Sequence, residues 1–184
     1  MRCELVSSVV VALPPDLAAR PPDYLRAGAK PLQIVSGGER RQDSVANAFA
    51  AVADRADIVV IHDAARPLVS DALIRRTVDA AVESGAAIAA IRASDTVKRG
   101  DAAQRIVETL PRDRIYLAQT PQAFRTELLR RAHAAHDIDA TDDAALVELI
   151  EEPVRLVMGS SENVKITTPS DLALAAAILA SRSP

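Results

Sequence analysis

Asp63 stands just beyond a short apolar run, in Val60-Ile61-His62-Asp63-Ala64-Ala65-Arg66-Pro67. A carboxylate at a strand end can hold a divalent cation beside a phosphate, because Mg²⁺ favours one or two carboxylates plus phosphate oxygens. Arg66, three residues on, can fork two hydrogen bonds to a phosphate. The same spacing suits a plain Asp63–Arg66 salt bridge, and both readings stand. His62 reads as a packing or hydrogen-bonding group without a catalytic part. A second candidate is Ser36-Gly37-Gly38-Glu39-Arg40-Arg41-Gln42-Asp43-Ser44. Its glycines let backbone approach a ligand closely. Arg41 and Ser44 fall at a helix N-terminus, where free N–H groups favour anions. A tight turn with an N-cap would use the same residues.

Thr141-Asp142-Asp143 reads as an N-cap with first-turn acids, and the Thr141 hydroxyl there can also touch a sugar hydroxyl or phosphate. Lys165 follows Asn163-Val164 at a strand end facing the same side. His133 and His136 sit near a helix end and read as solvent-facing. No Ser/His/Asp or Cys/His pairing points to a covalent nucleophile. One carboxylate among several cations suits phosphoryl or nucleotidyl transfer, where the protein positions groups and neutralises charge.

The elements that must place these residues follow from the apolar pattern. Strands are expected at Val9–Leu13, stopped by Pro14-Pro15, and at Leu32–Val35, Ile58–Ile61, Ala87–Ile91 and Val154–Met158. Helices are expected over Arg41–Ala53, Ala72–Ser84, Thr126–Ala135, Ala144–Glu151 and Ser170–Leu179. Apolar strands interleaved with amphipathic helices predict a parallel α/β sheet covered on both faces. Ligands of such sheets bind at the carboxyl ends of the strands, where the candidates lie. From Arg92 to Gln119 the pattern turns polar and extended, and Gly100-Asp101 marks a hairpin. A hairpin with so few apolar residues is barely stable alone, so a second subunit is its natural support.

The chain of 184 residues fits one domain over 1–184, with 49% hydrophobic and 26% charged residues. A formal charge of −3 argues against a nucleic-acid partner. The lone Cys3 excludes an internal disulfide and a multi-cysteine metal site, and reads as a buried thiol on a strand. No apolar run reaches the roughly 18 residues of a membrane span. Met1–Val11 is too polar for a signal peptide, so a cytoplasmic location is the default expectation.

Five segments stand in an order and spacing that resemble a known family: Ser36–Val45, Val60–Pro67, Asp95-Thr96-Val97-Lys98, Gln119-Thr120-Pro121-Gln122 and Asn163–Thr167. Together they look like 2-C-methyl-D-erythritol 4-phosphate cytidylyltransferase. The resemblance implies a Rossmann-like, mostly parallel sheet and a β-hairpin dimerisation arm over about 93–117. It implies attack of methylerythritol phosphate on the α-phosphate of CTP with Mg²⁺ bound. Gly38, Glu39, Arg41 and Ser44 would surround the cytidine, with Asp63 and Ala64 at the ribose, metal and phosphates. Arg66, Thr96, Arg112, Thr120, Thr141 and Lys165 would hold the polyol phosphate. Arg112 and Lys165 would position its phosphate for attack, with Thr96 and Arg112 serving a homodimer partner's site. Family members open with a strand, a glycine-rich loop with a basic residue and a Pro-Lys motif, which cradle the triphosphate. Nothing in Met1–Val11 matches, so we expect an N-terminally incomplete domain, without the first strand and loop, whose turnover is impaired. Ribitol 5-phosphate as acceptor and a non-catalytic dimeric remnant are the alternatives.

Overall fold

A computed structural model describes residues 3–52, 55–135 and 140–182. Strand β1 (Val9–Leu13) pairs in parallel with β2 (Leu32–Ser36). Between them Pro15 opens the short helix α1 (Pro15–Ala19), a position where the missing N–H costs nothing. Helix α2 (Arg41–Ala50) follows β2, and its predicted last residue, Ala53, lies outside the described residues. Then come β3 (Ile58–Ile61) and α3 (Asp71–Ser84). The Ser70 hydroxyl caps α3 by accepting from Leu73 N at 3.2 Å, and Gly85 ends it at φ 90°, a conformation that favours glycine. Strand β4 (Ala86–Arg92) leads into the hairpin strands β5 (Val97–Gly100) and β6 (Ile106–Leu110). The chain closes with β7 (Tyr116–Arg125), α4 (Thr126–Ala135), α5 (Asp143–Leu149), β8 (Arg155–Met158) and α6 (Pro169–Ser181).

The main sheet has the order β3-β7-β4-β8. Side chains alternate between its faces as the pleat requires. Val59, Ile88 and Phe124 face α4 and α5, burying Leu128, Leu129, Leu146 and Val147, with Phe49 reaching in from α2. Ala87 and Ala123 face Ala80 and Ala81 of α3, so that helix lies against small residues. An α/β fold with helices on both faces is therefore present.

The sheet is less parallel than its apolar strands imply. β7, the longest strand, runs antiparallel to both β3 and β4, and only β4 with β8 is parallel. Sequence pattern hid β7, because its first residues fall in the polar stretch that ends at Gln119, and Thr120 and Gln122 interrupt the apolar run beyond it. Tyr116 and Leu117, assigned above to the arm, pair with Arg92 and Ile91 of the main sheet. The hairpin itself forms its own antiparallel pair, with Ile106 and Val107 exposed. Cys3 is buried as expected, but it precedes a turn and lies outside any strand.

One irregularity matters for the site. Ile88 pairs with Gln122 and Ala90 with Ala118, so Ala89 faces three residues of β7, namely Gln119, Thr120 and Pro121. A bulge of this kind frees side chains from the pleat and re-aims them. Among the described residues, β1 and β2 share no ladder with the main sheet. Phe124, fully buried at the centre, sets a test of this core. Phe124→Ala is expected to lower unfolding free energy by about 3–5 kcal/mol in urea denaturation. A loss under about 1 kcal/mol would contradict the central place given to β7.

Candidate active site

The site is built at the carboxyl end of β3. Asp63 begins a turn that Arg66 N closes onto the Asp63 carbonyl at 3.0 Å. Below it, the buried Thr120 of β7 accepts a hydrogen bond from Asp63 N at 3.0 Å and lies 3.0 Å from His62 Nδ1. The other ring nitrogen, Nε2, is 3.0 Å from the Arg66 carbonyl. One proton arrangement satisfies all three: the Thr120 O–H donates to Nδ1, and Nε2–H donates to Arg66. It requires a neutral ring, and burial holds His62 below the ordinary imidazole range.

Around Asp63 three cations converge from separate segments. Lys165 Nζ lies 3.0 Å from Oδ2, Arg41 Nε 3.6 Å from Oδ1, and Arg66 Nε 3.8 Å from Oδ2. Burial pushes the Asp63 carboxyl up, but the Lys165 hydrogen bond and the three positive charges outweigh it, so the group sits below the usual carboxylate range. Arg66 also donates to the Asn163 carbonyl at 2.7 Å, while its buried Nε has no hydrogen-bond acceptor. Burial pulls its guanidinium down, against the charge of Asp63.

The segment bearing Lys165 is tied at both ends. Buried Asn163 donates to the Thr120 carbonyl at 2.8 Å and to Gln119 Oε1 at 3.2 Å. Ile166 N donates to the Ala65 carbonyl at 2.8 Å. Thr168 then caps α6 in a capping box with Asp171, and the backbone N–H of Thr167 with its neighbours holds the Asp171 carboxyl down to about 2.

The glycine loop before α2 is shaped by close approach. A Cβ on Gly38 would fall 2.2 Å from Asp43 Cβ, and one on Gly37 2.9 Å from Ser44 Oγ. Ser44 accepts from Gly38 N at 3.0 Å, and Asp43 reaches back to Arg40 N at 3.1 Å. This is the turn-and-cap reading realised, and it leaves Arg41 at the cleft.

The structure thus brings Arg41, Asp63, Arg66 and Lys165 together, with Gly38, Glu39 and Ala64 on the adjoining loops and Ser44 in the first turn of α2. Thr141 is exposed beside Asp142 and Asp143, and Asp143 meets Arg41 at 2.8 Å. Thr120 lies beneath Asp63 with its hydroxyl engaged inside the protein. Thr96 and Arg112 stand apart on the arm, where Arg112 Nη1 donates to the Ser94 carbonyl at 2.6 Å. His133 corrects the solvent-facing expectation: it is largely buried, stacks on Phe49 at 5.9 Å and lies 3.4 Å from Asp143. His136 lies outside the described residues. From the sequence Asp143 reads only as a first-turn acid, and Gln119, Gln122 and Asn163 only as members of the family-like segments, with no side-chain partners assigned to them. A broad hollow lined by Ile58, Val82, Arg125 and Thr126 opens at the opposite end of β3.

Residues 2–181 match the family model described as IspD, 2-C-methyl-D-erythritol 4-phosphate cytidylyltransferase. The chain belongs to that family. It is 48% identical over 183 residues to the bifunctional enzyme IspD/IspF of Anaeromyxobacter dehalogenans, spanning 96% of this chain and 47% of that protein. It is 51% identical over 149 residues to the 2-C-methyl-D-erythritol 4-phosphate cytidylyltransferase of Syntrophus aciditrophicus, spanning 79% of this chain and 64% of that one. The chain thus covers between about half and two thirds of these curated relatives. Among solved structures it resembles the Thermus thermophilus 2-C-methyl-D-erythritol 4-phosphate cytidylyltransferase, with a TM-score of 0.81 and 40% identity, over 94% of this chain and 81% of that one. It also resembles the 4-diphosphocytidyl-2C-methyl-D-erythritol synthase of Anaerococcus prevotii, at TM-score 0.89 and 30% identity, over 97% and 84%. No helix among the described residues is long and apolar enough to cross a membrane.

His62 gives the site a pH signature. An unfolded histidine titrates near about 6.5, above the depressed folded value, so the unfolded chain binds the proton first. Stability is therefore complete above about pH 6.5 and falls as pH drops toward the folded value. The Asp63 contribution is lost only lower, as pH falls below about 4 through its depressed folded value. Denaturation midpoints of the wild type are expected to decline between about pH 7 and 5, and His62→Gln to flatten that decline. Equal slopes for the two proteins would refute the neutral buried ring.

Proposed function

We propose that this chain performs cytidylyl transfer from CTP to 2-C-methyl-D-erythritol 4-phosphate, releasing pyrophosphate. The observation that carries the reading is the single carboxylate of Asp63 with Arg41, Arg66 and Lys165 gathered within 4 Å of it, in a member of this family. Three cations against Asp63 and Asp143 leave an excess of positive charge where two phosphates would meet. In the reaction a phosphate oxygen of the acceptor bonds to the α-phosphorus, and the bond to the bridging oxygen of the pyrophosphate breaks. The acceptor oxygen is already deprotonated, so no general base is required. This suits a site whose histidine is half-buried, neutral and engaged in hydrogen bonds.

Gly38, Glu39, Arg41 and Ser44 take the cytidine side, and Ala64 lies beside the ribose. The N–H of Arg66 that lacks an acceptor supports an anionic ligand here. Lys165, 45% exposed, contributes about 0–1 kcal/mol through its pair with Asp63. It is therefore free to turn toward the acceptor phosphate and offset charge on the reacting phosphorus. Thr141 would meet the polyol. Arg112 and Thr96 would reach a partner's site across a homodimer built on the hairpin, whose exposed Ile106 and Val107 support such packing.

Among the described residues no three His, Cys, Asp or Glu side chains gather as a metal cage. A lone carboxylate fits Mg²⁺, which takes most of its ligands from phosphates and water. Asp63 would hold it, and the ion would neutralise the phosphates of CTP.

Pyrophosphate release with methylerythritol phosphate should exceed that with ribitol phosphate, and the reverse order would reassign the acceptor. Asp63→Asn is expected to lower kcat/KM by about 10–100-fold. CTP titration by calorimetry with and without Mg²⁺ checks the same site where turnover is slow. An Asp63→Asn variant with wild-type turnover and unchanged Mg²⁺ dependence would return Asp63 to a plain salt bridge. Sedimentation should give a dimer that Ile106→Lys with Val107→Asp dissociates, and a wild-type monomer would remove the partner's arm from the site.

A further inference from the structure

Asp143 carries a burden that capping cannot explain. The N-cap of α5 is Asp142, whose Oδ1 accepts from Ala145 N at 3.0 Å and whose Oδ2 accepts from Gln122 Nε2 at 2.9 Å. The helix start is therefore already satisfied. Asp143, the next residue, is only 1% exposed, and its carboxylate turns back toward α2 and α4. Oδ2 receives Arg41 Nη1 at 2.8 Å, and Oδ1 lies 3.4 Å from His133 Nε2. Stability is a poor reason for such a group. A buried carboxylate is costly to desolvate, and apolar replacements of buried ion pairs are often neutral or better.

The geometry gives a different reason. The Arg41 guanidinium faces two carboxylates at once, with Asp143 at 2.8 Å and Asp63 at 3.6 Å. Because attraction rises as distance falls, Asp143 is the stronger anchor. Without it, Arg41 would be drawn onto Asp63 as a forked pair. That pair would occupy the carboxylate that Lys165 now meets at 3.0 Å. A second tie fixes the same two segments: Ala140 N donates to Gln42 Oε1 at 3.3 Å. Exposed Thr141 hangs between these two ties.

We propose that Asp143 is a positioning residue, which fixes the Arg41 guanidinium at the cleft before any ligand arrives and keeps it from closing on Asp63. Its consequence for CTP rests on the reading that Arg41 meets the nucleotide. The charged and titratable groups around the pair are Asp63, Asp142, His133 and Lys165.

The first test needs no ligand. Side-chain nitrogen NMR of the free wild-type chain should show hindered Arg41 Nη rotation, with separate signals that merge in Asp143→Asn and return in Asp143→Glu. Freely rotating Arg41 in the wild type, or signals unchanged in Asp143→Asn, would overturn the proposal. The second test is calorimetric titration of CTP with Mg²⁺. Asp143→Asn should weaken binding about tenfold, Asp143→Glu should restore most of it, and Arg41→Ala should abolish the effect of the Asp143 change. Equal weakening in the presence and absence of Arg41 would show a general loss of structure and refute positioning. A wild type that binds no CTP would defeat the nucleotide reading, while the NMR result would still decide the role of Asp143.

Discussion

Three polar side chains of one strand hold the loops of the site in register. Thr120 of β7 supports the backbone of Asp63 and the ring of His62. Gln119 clasps the loop after β8, donating to the Ser160 carbonyl at 2.9 Å and accepting from Asn163. Gln122 donates to Asp142 at the start of α5. Because β7 lies between β3 and β4 and its side chains from Gln119 to Phe124 are buried, these cannot shift without disturbing the core. A buried polar group left unpaired costs about 1–3 kcal/mol, so each loop is held where its partner stands. The bulge opposite Ala89 makes this possible by releasing Gln119 and Thr120 from the pleat. Gly159 belongs to the same device, since a Cβ there would lie 2.4 Å from Gln119 Oε1.

On that frame the charges can be weakly bound and still well placed. Lys165 is nearly half exposed, so its pair with Asp63 adds little to stability. Arg41 and Arg66 differ: each is fixed by an acceptor other than Asp63, namely the Asp143 carboxylate and the Asn163 carbonyl. Burial would lower Arg41, yet Asp143, with Asp63 and Asp142, raises it above its ordinary value, so it stays cationic while facing the cleft. Donors fixed in advance cost no reorganisation when negative charge is placed beside them.

Much of the fold was legible because its strands are short, apolar and bounded by Pro and Gly, and its helices repeat apolar residues. The Asp63–Arg66 spacing pointed to the charge cluster at the end of β3, since a strand-end acid with nearby cations is visible without coordinates. β7 was not legible. Its outer residues are held by a hydrophobic face, but Gln119, Thr120 and Gln122 are held by hydrogen bonds to residues about 20 to 58 positions away, and periodicity carries no trace of such partners. Asp143 was hidden for a related reason. Side by side, Asp142 and Asp143 both look like first-turn acids, and only the tertiary position of α2 makes the second a partner of Arg41.

The placement of α2 joins the two halves of the site. The glycine loop grows out of β2 and is fastened to β1, where Gly37 N donates to the Leu13 carbonyl at 2.7 Å. Asp63 and Lys165 belong to the β3-β7-β4-β8 sheet. With no ladder between the two sheets among the described residues, backbone hydrogen bonds cannot set the distance from Gly38 to Asp63. Side chains of α2 do so instead. Phe49 enters the core beside Leu129 and Val147, where burying such a ring contributes about 1.5–3 kcal/mol. At the other end of the helix Arg41 and Gln42 meet Asp143 and Ala140. An apolar anchor at one end and a charged one at the other leave α2 little freedom to rock. The half carrying the glycine loop is thereby held to the half carrying Asp63, through contacts that a single buried carboxylate completes.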